Sequence, residues 1–231
     1  MNAAVITFPG SNCDDDLNFA LRIAGFQVTQ LWHKDHPDLS QFGLVALPGG
    51  FSYGDYLRCG AMAALSPIMD DVRTYAEKGG FVLGLCNGFQ ILCETGLLPG
   101  ALARNLSLNF VCKDVLLKIK TNQSPWTCKA KAGELLSIPI AHGDGRYVVD
   151  ESTYKQLVEA NQVLLTYTDA TGEENTESNP NGSHHNIAGI CNQNKNVFGL
   201  MPHPERATDL RSRNGMIFWQ SILHALSEKK A

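Results

Sequence analysis

The stretch FVLGLCNGFQIL (residues 81–92) decides how this chain is read. Five apolar residues, 81–85, have the length and character of a strand buried on both faces. They run without a loop into Gly84-Leu85-Cys86-Asn87-Gly88, beyond which Phe89, Gln90, Ile91 and Leu92 read as the start of a helix. A Gly-x-nucleophile-x-Gly turn lets a strand reverse sharply into a helix, because residues without a Cβ let the two elements approach closely. A thiol at its apex gains a thiolate-stabilising helix N-terminus and backbone N–H groups that can face an oxyanion. Cysteines in a core are ordinarily inert packing residues. The two glycines and the strand-to-helix setting favour Cys86 as a nucleophile instead.

Outward from this elbow, strands and helices alternate. AAVITF (3–8) is a short β-branched run. DDLNFALRIAG follows it, with Leu17, Ala20, Leu21 and Ala24 at helical spacing and Gly25 as a C-cap. FQVTQLW (26–32) and GLVALPGG (43–50) read as two more strands, and Ser66-Pro67 as the N-cap and first position of a helix that ends at EKGG (77–80). Short apolar strands separated by helices predict a doubly wound α/β fold, its sheet mostly parallel with helices on both faces. In the middle, 106–120 and 134–145 read as longer strands of a small antiparallel β region. A helix over 151–160, a strand over 162–168, two strands within 187–205 and a helix over 215–226 complete the pattern. No Pro-, Gly- or Ser-rich linker divides the chain, so one domain over 1–231 is expected.

With 231 residues, 44% hydrophobic and 18% charged, the composition is that of an ordinary globular protein. A net charge of −4 with scattered basic residues argues against nucleic acid as a partner. No apolar run approaches the roughly 20 residues needed to span a bilayer, and the N-terminus lacks a signal-peptide pattern, so a cytoplasmic location without membrane attachment is expected. The seven cysteines include no CxxC pair, which argues against a disulfide framework or a structural zinc. The adjacent His184-His185 lacks ligand partners at metal-site spacing, so no metal is expected.

A nucleophilic thiol needs a base, and the base an orienting group. His33, His36, His184, His185 and His224 read as packing or solvated residues. His203, in GLMPHPER, follows an apolar strand and lies between Pro202 and Pro204. If the prolines keep the backbone extended, residues i and i+2 share a side, which places Glu205 beside His203 as the acid of a triad. The glycine pair after the strand at 43–47 could supply an oxyanion donor from Gly50 or Phe51, with Asn87 supplying the other. Neither a G-x-x-x-x-G-K-[ST] loop nor a G-x-G-x-x-G helix opening is present, so a nucleotide-dependent step is expected on another chain.

Cys86 in its elbow and the C-terminal His203-x-Glu205 together resemble the class I, triad-type glutamine amidotransferases. The blocks FPGSNCD, PGGFSYGDYLRCGAMAA, GLCNGFQIL, HGDG, NPNGS, NIAGI and MPHPER extend the resemblance from residue 8 to 206, toward the free-standing glutaminase subunits of phosphoribosylformylglycinamidine synthases. The resemblance implies hydrolysis of L-glutamine through a cysteine thioester, with Gln90 at a substrate-holding position. It also implies ammonia delivery to a larger synthetase subunit that uses ATP and Mg²⁺ to convert formylglycinamide ribonucleotide to its amidine, a small third subunit, and no cofactor on this chain. Two departures stand out: Asp144 where those subunits usually carry Glu, and the basic pair His184-His185. A stand-alone cysteine hydrolase of γ-glutamyl or peptide substrates, and a non-catalytic regulatory subunit, are the competing readings.

Overall fold

The computed structural model describes residues 1–209 and 212–229. The chain opens with β1 (Asn2–Thr7), α1 (Asp14–Ile23), β2 (Gln27–Trp32) and β3 (Leu44–Leu47), followed by a short helix α2 (Ala61–Ala64) and α3 (Ile68–Glu77). β4 (Phe81–Leu85) then runs through Cys86 into α4 (Asn87–Glu94). Strands β5 (Ala101–Ala103), β6 (Val111–Ile119), β7 (Leu135–His142) and β8 (Arg146–Val148) then lead to α5 (Glu151–Glu159). β9 (Val163–Thr168), β10 (Ile187–Cys191), β11 (Val197–Leu200) and α6 (Met216–Glu228) finish the order.

Nine strands form one sheet in the order β2-β1-β3-β4-β11-β10-β9-β6-β7. The pairs joining β2, β1, β3, β4 and β11 are parallel, and those joining β11, β10, β9, β6 and β7 are antiparallel. A separate antiparallel pair joins β5 to β8. The expected mostly parallel doubly wound sheet thus occupies one half, and the antiparallel region continues the same sheet. It is larger than the sequence reading allowed.

Side-chain alternation explains the continuous apolar runs. Ala3, Val5, Leu44, Ala46, Leu83 and Leu85 pack on one face with Leu17 and Leu21 of α1 and Trp219 and Ile222 of α6. Ala4, Ile6, Val45, Leu47 and Val82 pack on the other with Ile68 and Val72 of α3 and Phe89 and Ile91 of α4. Both faces of β3 and β4 being covered, their positions cannot be polar without a partner, whereas the edge strand β2 exposes Gln27, Thr29 and Gln30.

Some local expectations are corrected. Ser66 does not cap α3 through its side chain; its Oγ lies 3.2 Å from His33 Nδ1 and 3.2 Å from the Tyr53 hydroxyl. Residues 104–110 form an irregular loop before β6, and β5, β8 and α2 are too short to leave a periodic signal. No helix among the described residues is long and apolar enough to cross a membrane. The fold's contribution to function is geometric: β1, β3, β4 and β11 are parallel, so the loops after them, 8–13, 48–60, 86 and 201–205, meet at one edge of the sheet.

Candidate active site

Cys86 stands between the last residue of β4 and the first of α4 with φ 49° and ψ −105°. That left-handed conformation costs on the order of 1–3 kcal/mol in a residue with a Cβ, and it persists because its surroundings fix it. Its N–H donates to the Leu200 carbonyl at 2.8 Å, while its own carbonyl accepts from Phe89 and Gln90 N–H at 3.0 and 3.2 Å. The glycines answer the question raised by the sequence. A Cβ on Gly84 would stand 2.6 Å from the backbone of Gly88, and one on Gly88 would stand 2.1 Å from the Leu47 carbonyl oxygen. Strand and helix are packed backbone to backbone, so neither position accepts a side chain.

Behind the thiol, His203 and Glu205 are buried almost completely, and His203 Nδ1–H donates to Glu205 Oε1 at 2.6 Å. The pair forms, but not by the extended backbone expected. Pro204–Ala207 is a 3₁₀ turn with His203 as its N-terminal flanking residue. The turn, rather than strand-like alternation, brings the carboxylate back to the ring, while the His203 N–H is held by the Pro139 carbonyl at 2.8 Å. Burial by itself would depress the imidazole pKa. The Glu205 carboxylate and then the neighbouring Cys86 sulfur outweigh it and raise the value to about 10. Nδ1 is occupied by Glu205, so Nε2, which has no hydrogen-bond partner, is the nitrogen left for the sulfur. Gly49 lies between them: a Cβ there would be 2.9 Å from His203 Cε1, 3.4 Å from Cys86 Cβ and 3.2 Å from Cys13 Sγ.

The oxyanion donors can be narrowed. Phe51 N–H is committed to the Gly10 carbonyl at 3.0 Å, so Phe51 is not a free backbone donor. Gly50 donates to no acceptor among the described residues, and Asn87 N–H is an uncapped first-turn donor. The Asn87 side chain braces this arrangement. Its Oδ1 accepts from Ser52 N–H at 3.2 Å, and its Nδ2 donates to Gln90 Oε1 at 2.8 Å. Gln90 Nε2 in turn donates to the Asp144 carbonyl at 2.6 Å, tying the elbow helix to the HGDG loop.

Cys86 lines a cavity of about 210 Å³ together with Gly50, Phe51 and Gln90 on one side and His142, Gly143 and Asp144 on the other. Phe51 therefore borders the site through its ring, which stacks on Phe110 at 6.5 Å. Asp55, Cys59, Arg104, Leu108, Phe110 and Ala141 complete the lining, and none of them was marked as a site residue by the sequence. Burial, and then the Asp144 charge, raise the Asp55 pKa; burial followed by both aspartates drives the Cys59 thiol far up. Also unforeseen is Asn105, fully buried, whose Oδ1 accepts from Gly145 N–H at 3.0 Å and lies 3.1 Å from His142 Nδ1. These two partners stand 37 and 40 residues away, so the local sequence carried no sign of them. Burial and the neighbouring His203 charge lower the His142 pKa to about 4. His184 Nδ1 meets the Val149 carbonyl, and His185 stacks on Tyr154, both away from this cavity.

A cysteine on a strained elbow, a buried His–Glu pair and two backbone N–H groups without acceptors among the described residues thus come together at one edge of the sheet, the arrangement expected of a triad-type glutamine amidotransferase. The chain belongs to the CobB/CobQ-like glutamine amidotransferase domain family, whose sequence profile matches residues 1–221. The branch is narrower still. The phosphoribosylformylglycinamidine synthase subunit PurQ of Koribacter versatilis is 47% identical, covering 99% of this chain and 100% of that one. The subunit of the same name from Alkaliphilus metalliredigens is 51% identical, covering 100% and 99%. Among solved structures, one chain of PurLQS from Thermotoga maritima superposes with a TM-score of 0.86 at 45% identity, covering 97% of this chain and 98% of that one.

Proposed function

We propose that residues 1–231 form one glutaminase unit, the glutamine-hydrolysing subunit of a phosphoribosylformylglycinamidine synthase. The single observation that carries this reading is the buried 2.6 Å His203–Glu205 contact, with Nε2 left free behind a thiol on the wall of a cavity sized for an amino acid. The full-length identity to the PurQ subunits supplies the identity of the substrate.

Cys86 Sγ, its proton already held by His203 Nε2 because the ring's pKa is raised to about 10, attacks the side-chain carbonyl carbon of L-glutamine. The oxyanion formed faces the N–H groups of Gly50 and Asn87, whose positions are fixed before reaction. Collapse breaks the C–N bond, His203 protonates the departing ammonia, and a γ-glutamyl thioester remains on Cys86. His203 then removes a proton from water, the water oxygen attacks the thioester, and glutamate leaves as the thiol is reprotonated. Glu205 holds the ring tautomer with the Nδ1 proton and offsets the imidazolium charge in each step. Gln90 and Asp144 border the substrate.

Ammonia passes to a larger synthetase subunit, which uses ATP and Mg²⁺ to convert formylglycinamide ribonucleotide to formylglycinamidine ribonucleotide in purine biosynthesis; a small third subunit completes the complex, in the cytoplasm. The rim of the cavity supports a partner. Two loops that reach the cavity carry exposed large apolar side chains, Tyr56 (78% exposed) and Leu57 (89%) on one and Leu106 (68%) and Leu108 (67%) on the other.

The test uses the complex reconstituted with Cys86→Ser. Glutamine-dependent synthesis is expected to fall by at least a thousandfold while ammonia-dependent synthesis persists. Normal glutamine-driven turnover would remove Cys86 from the chemistry.

A further inference from the structure

Three polar side chains that the reaction above does not use meet behind the loop that carries the Gly50 N–H. His33 Nδ1 lies 3.0 Å from the Tyr53 hydroxyl and 3.2 Å from Ser66 Oγ, and the two hydroxyls are 3.2 Å apart. His33 and Ser66 are buried, and the partly buried Tyr53 ring stands at 84° to the imidazole with 5.6 Å between centroids. Burial and then the Lys34 ammonium lower the His33 pKa against the pull of Asp35, so the ring is neutral at neutral pH and Nδ1 accepts the Tyr53 O–H. Tyr53 needs such a hold. It sits at φ 54°, with Asp55 and Leu57 close by at 56° and 70°, in the left-handed region that residues with a Cβ ordinarily avoid.

We propose that His33, Tyr53 and Ser66 are positioning residues for the oxyanion hole: their clasp fixes the 52–55 turn so that the Gly50 N–H just before it is aimed at the oxyanion before glutamine binds. The proposal rests on the glutaminase reading of the site and assigns it three residues that touch no substrate. On its near side the Gly50 backbone is pressed to the 8–13 loop, since a Cβ there would stand 2.7 Å from the Asn12 nitrogen. Phe51 N–H and Tyr53 N–H donate to the Gly10 and Pro9 carbonyls at 3.0 and 2.6 Å. Those bonds join one irregular loop to another.

The clasp joins both loops to the framework. His33 N–H is held by the Thr7 carbonyl at the end of β1 at 3.0 Å, and the Ser66 carbonyl accepts from Met69 N–H in α3 at 2.9 Å. A donor stabilises an oxyanion in proportion to how well it is aimed in advance, within a fraction of an ångström. Without the phenol bond the left-handed turn loses a contact that offsets its strain, and residues 50–55 relax toward backbone that turns the Gly50 N–H aside. Nothing local announces the clasp: Tyr53 stands 20 residues from His33 and 13 from Ser66. It gives His33 a task beyond the packing role that its sequence context suggests.

The reconstituted complex is assayed with Tyr53→Phe, which keeps the ring and deletes one oxygen, with His33→Leu, and with both together. An oxyanion donor acts in the transition state, so kcat for glutamine hydrolysis is expected to fall roughly fivefold or more in each while KM stays within about threefold. The double variant is expected to match the worse single variant within about twofold, because either change alone opens the clasp. Alkylation separates aim from general damage. Iodoacetamide loses iodide to the Cys86 sulfur without forming an oxyanion, so its rate, read from the mass of the peptide carrying residue 86, is expected to stay within about twofold. His33→Asn, whose side-chain oxygen falls near the place of Nδ1, is expected to recover most of the kcat that His33→Leu loses. Tyr53→Phe carries the test even where His33→Leu fails to fold. A smaller loss of kcat in Tyr53→Phe, a parallel loss of alkylation, losses that multiply in the double variant, or His33→Asn no better than His33→Leu would overturn the clasp. An unaltered complex that releases no glutamate from glutamine would instead overturn the glutaminase reading, and the clasp's role with it.

Discussion

Replacing Glu205 by Gln probes the site through one atom pair. The isosteric amide keeps the volume but removes the charge that, with Cys86, holds the His203 pKa at about 10 against burial. Without it burial is opposed by Cys86 alone, and the ring's pKa is expected to fall. The tautomer changes as well. If the Gln amide N–H donates to Nδ1, the neutral ring must carry its proton on Nε2, where it cannot accept one from the thiol. The comparable loss in a serine triad is about 10⁴-fold in kcat, and a similar fall, about 5.4 kcal/mol of transition-state stabilisation, is expected here. The assay is glutamate release by the assembled complex, with ammonia-dependent synthesis as the control for assembly. Stability should move with a defined sign. The raised His203 pKa contributes stability that is full below pH 6.5 and is lost as pH rises through 10. Glu205→Gln should therefore cost most at or below pH 6.5, on the order of 3–5 kcal/mol, and converge on the unaltered protein in alkali. Glutaminase activity within tenfold of normal would refute the pairing as the source of basicity.

Other perturbations follow from neighbouring contacts. Gly88→Ala drives a Cβ into the Leu47 carbonyl at 2.1 Å; thermal unfolding should show a loss of at least about 1–3 kcal/mol, and glutaminase activity should vanish. Asn105→Ala strands Gly145 N–H and the His142 carbonyl; chemical denaturation should report a loss of about 2–3 kcal/mol, and KM for glutamine should rise more than kcat falls as the 142–145 loop loosens. His142, with its pKa lowered to about 4, takes up its proton later than it does in the unfolded chain, so stability should drop as pH falls from 6.5 to 4. His142→Gln should flatten that limb in a plot of melting temperature against pH. Leu57→Asp, on the exposed rim, should weaken association with the synthetase subunit at least tenfold in a binding titration and leave the melting temperature of the isolated chain within a few degrees.

What could be read from the sequence was carried by backbone demands rather than side-chain contacts. The elbow was visible because two positions exclude a Cβ, and only glycine meets that demand at Gly84 and Gly88. The parallel half of the sheet was visible because burial on both faces forces unbroken apolar runs. His203 and Glu205 were paired for a reason the backbone does not use, since Pro204 opens a 3₁₀ turn instead of prolonging the strand. Choosing between Gly50 and Phe51 needed the knowledge that Gly10, far earlier in the chain, takes the Phe51 N–H. Asn105, Asp55 and Arg104 are single polar residues in irregular segments, and no periodicity distinguishes them from solvent-facing loop residues. Cys13 was one of seven thiols until the fold set it beside His203.

Turnover depends on acylation of Cys86. That dependence is tested most directly by quenching the complex in acid while it consumes glutamine and weighing the proteolytic peptide that contains residue 86. One γ-glutamyl group is expected on that peptide, accumulating when ammonia release outpaces hydrolysis of the thioester and absent from Cys86→Ser. Glutamate produced at the full rate with residue 86 never modified, or with the acyl group on another residue, would contradict it.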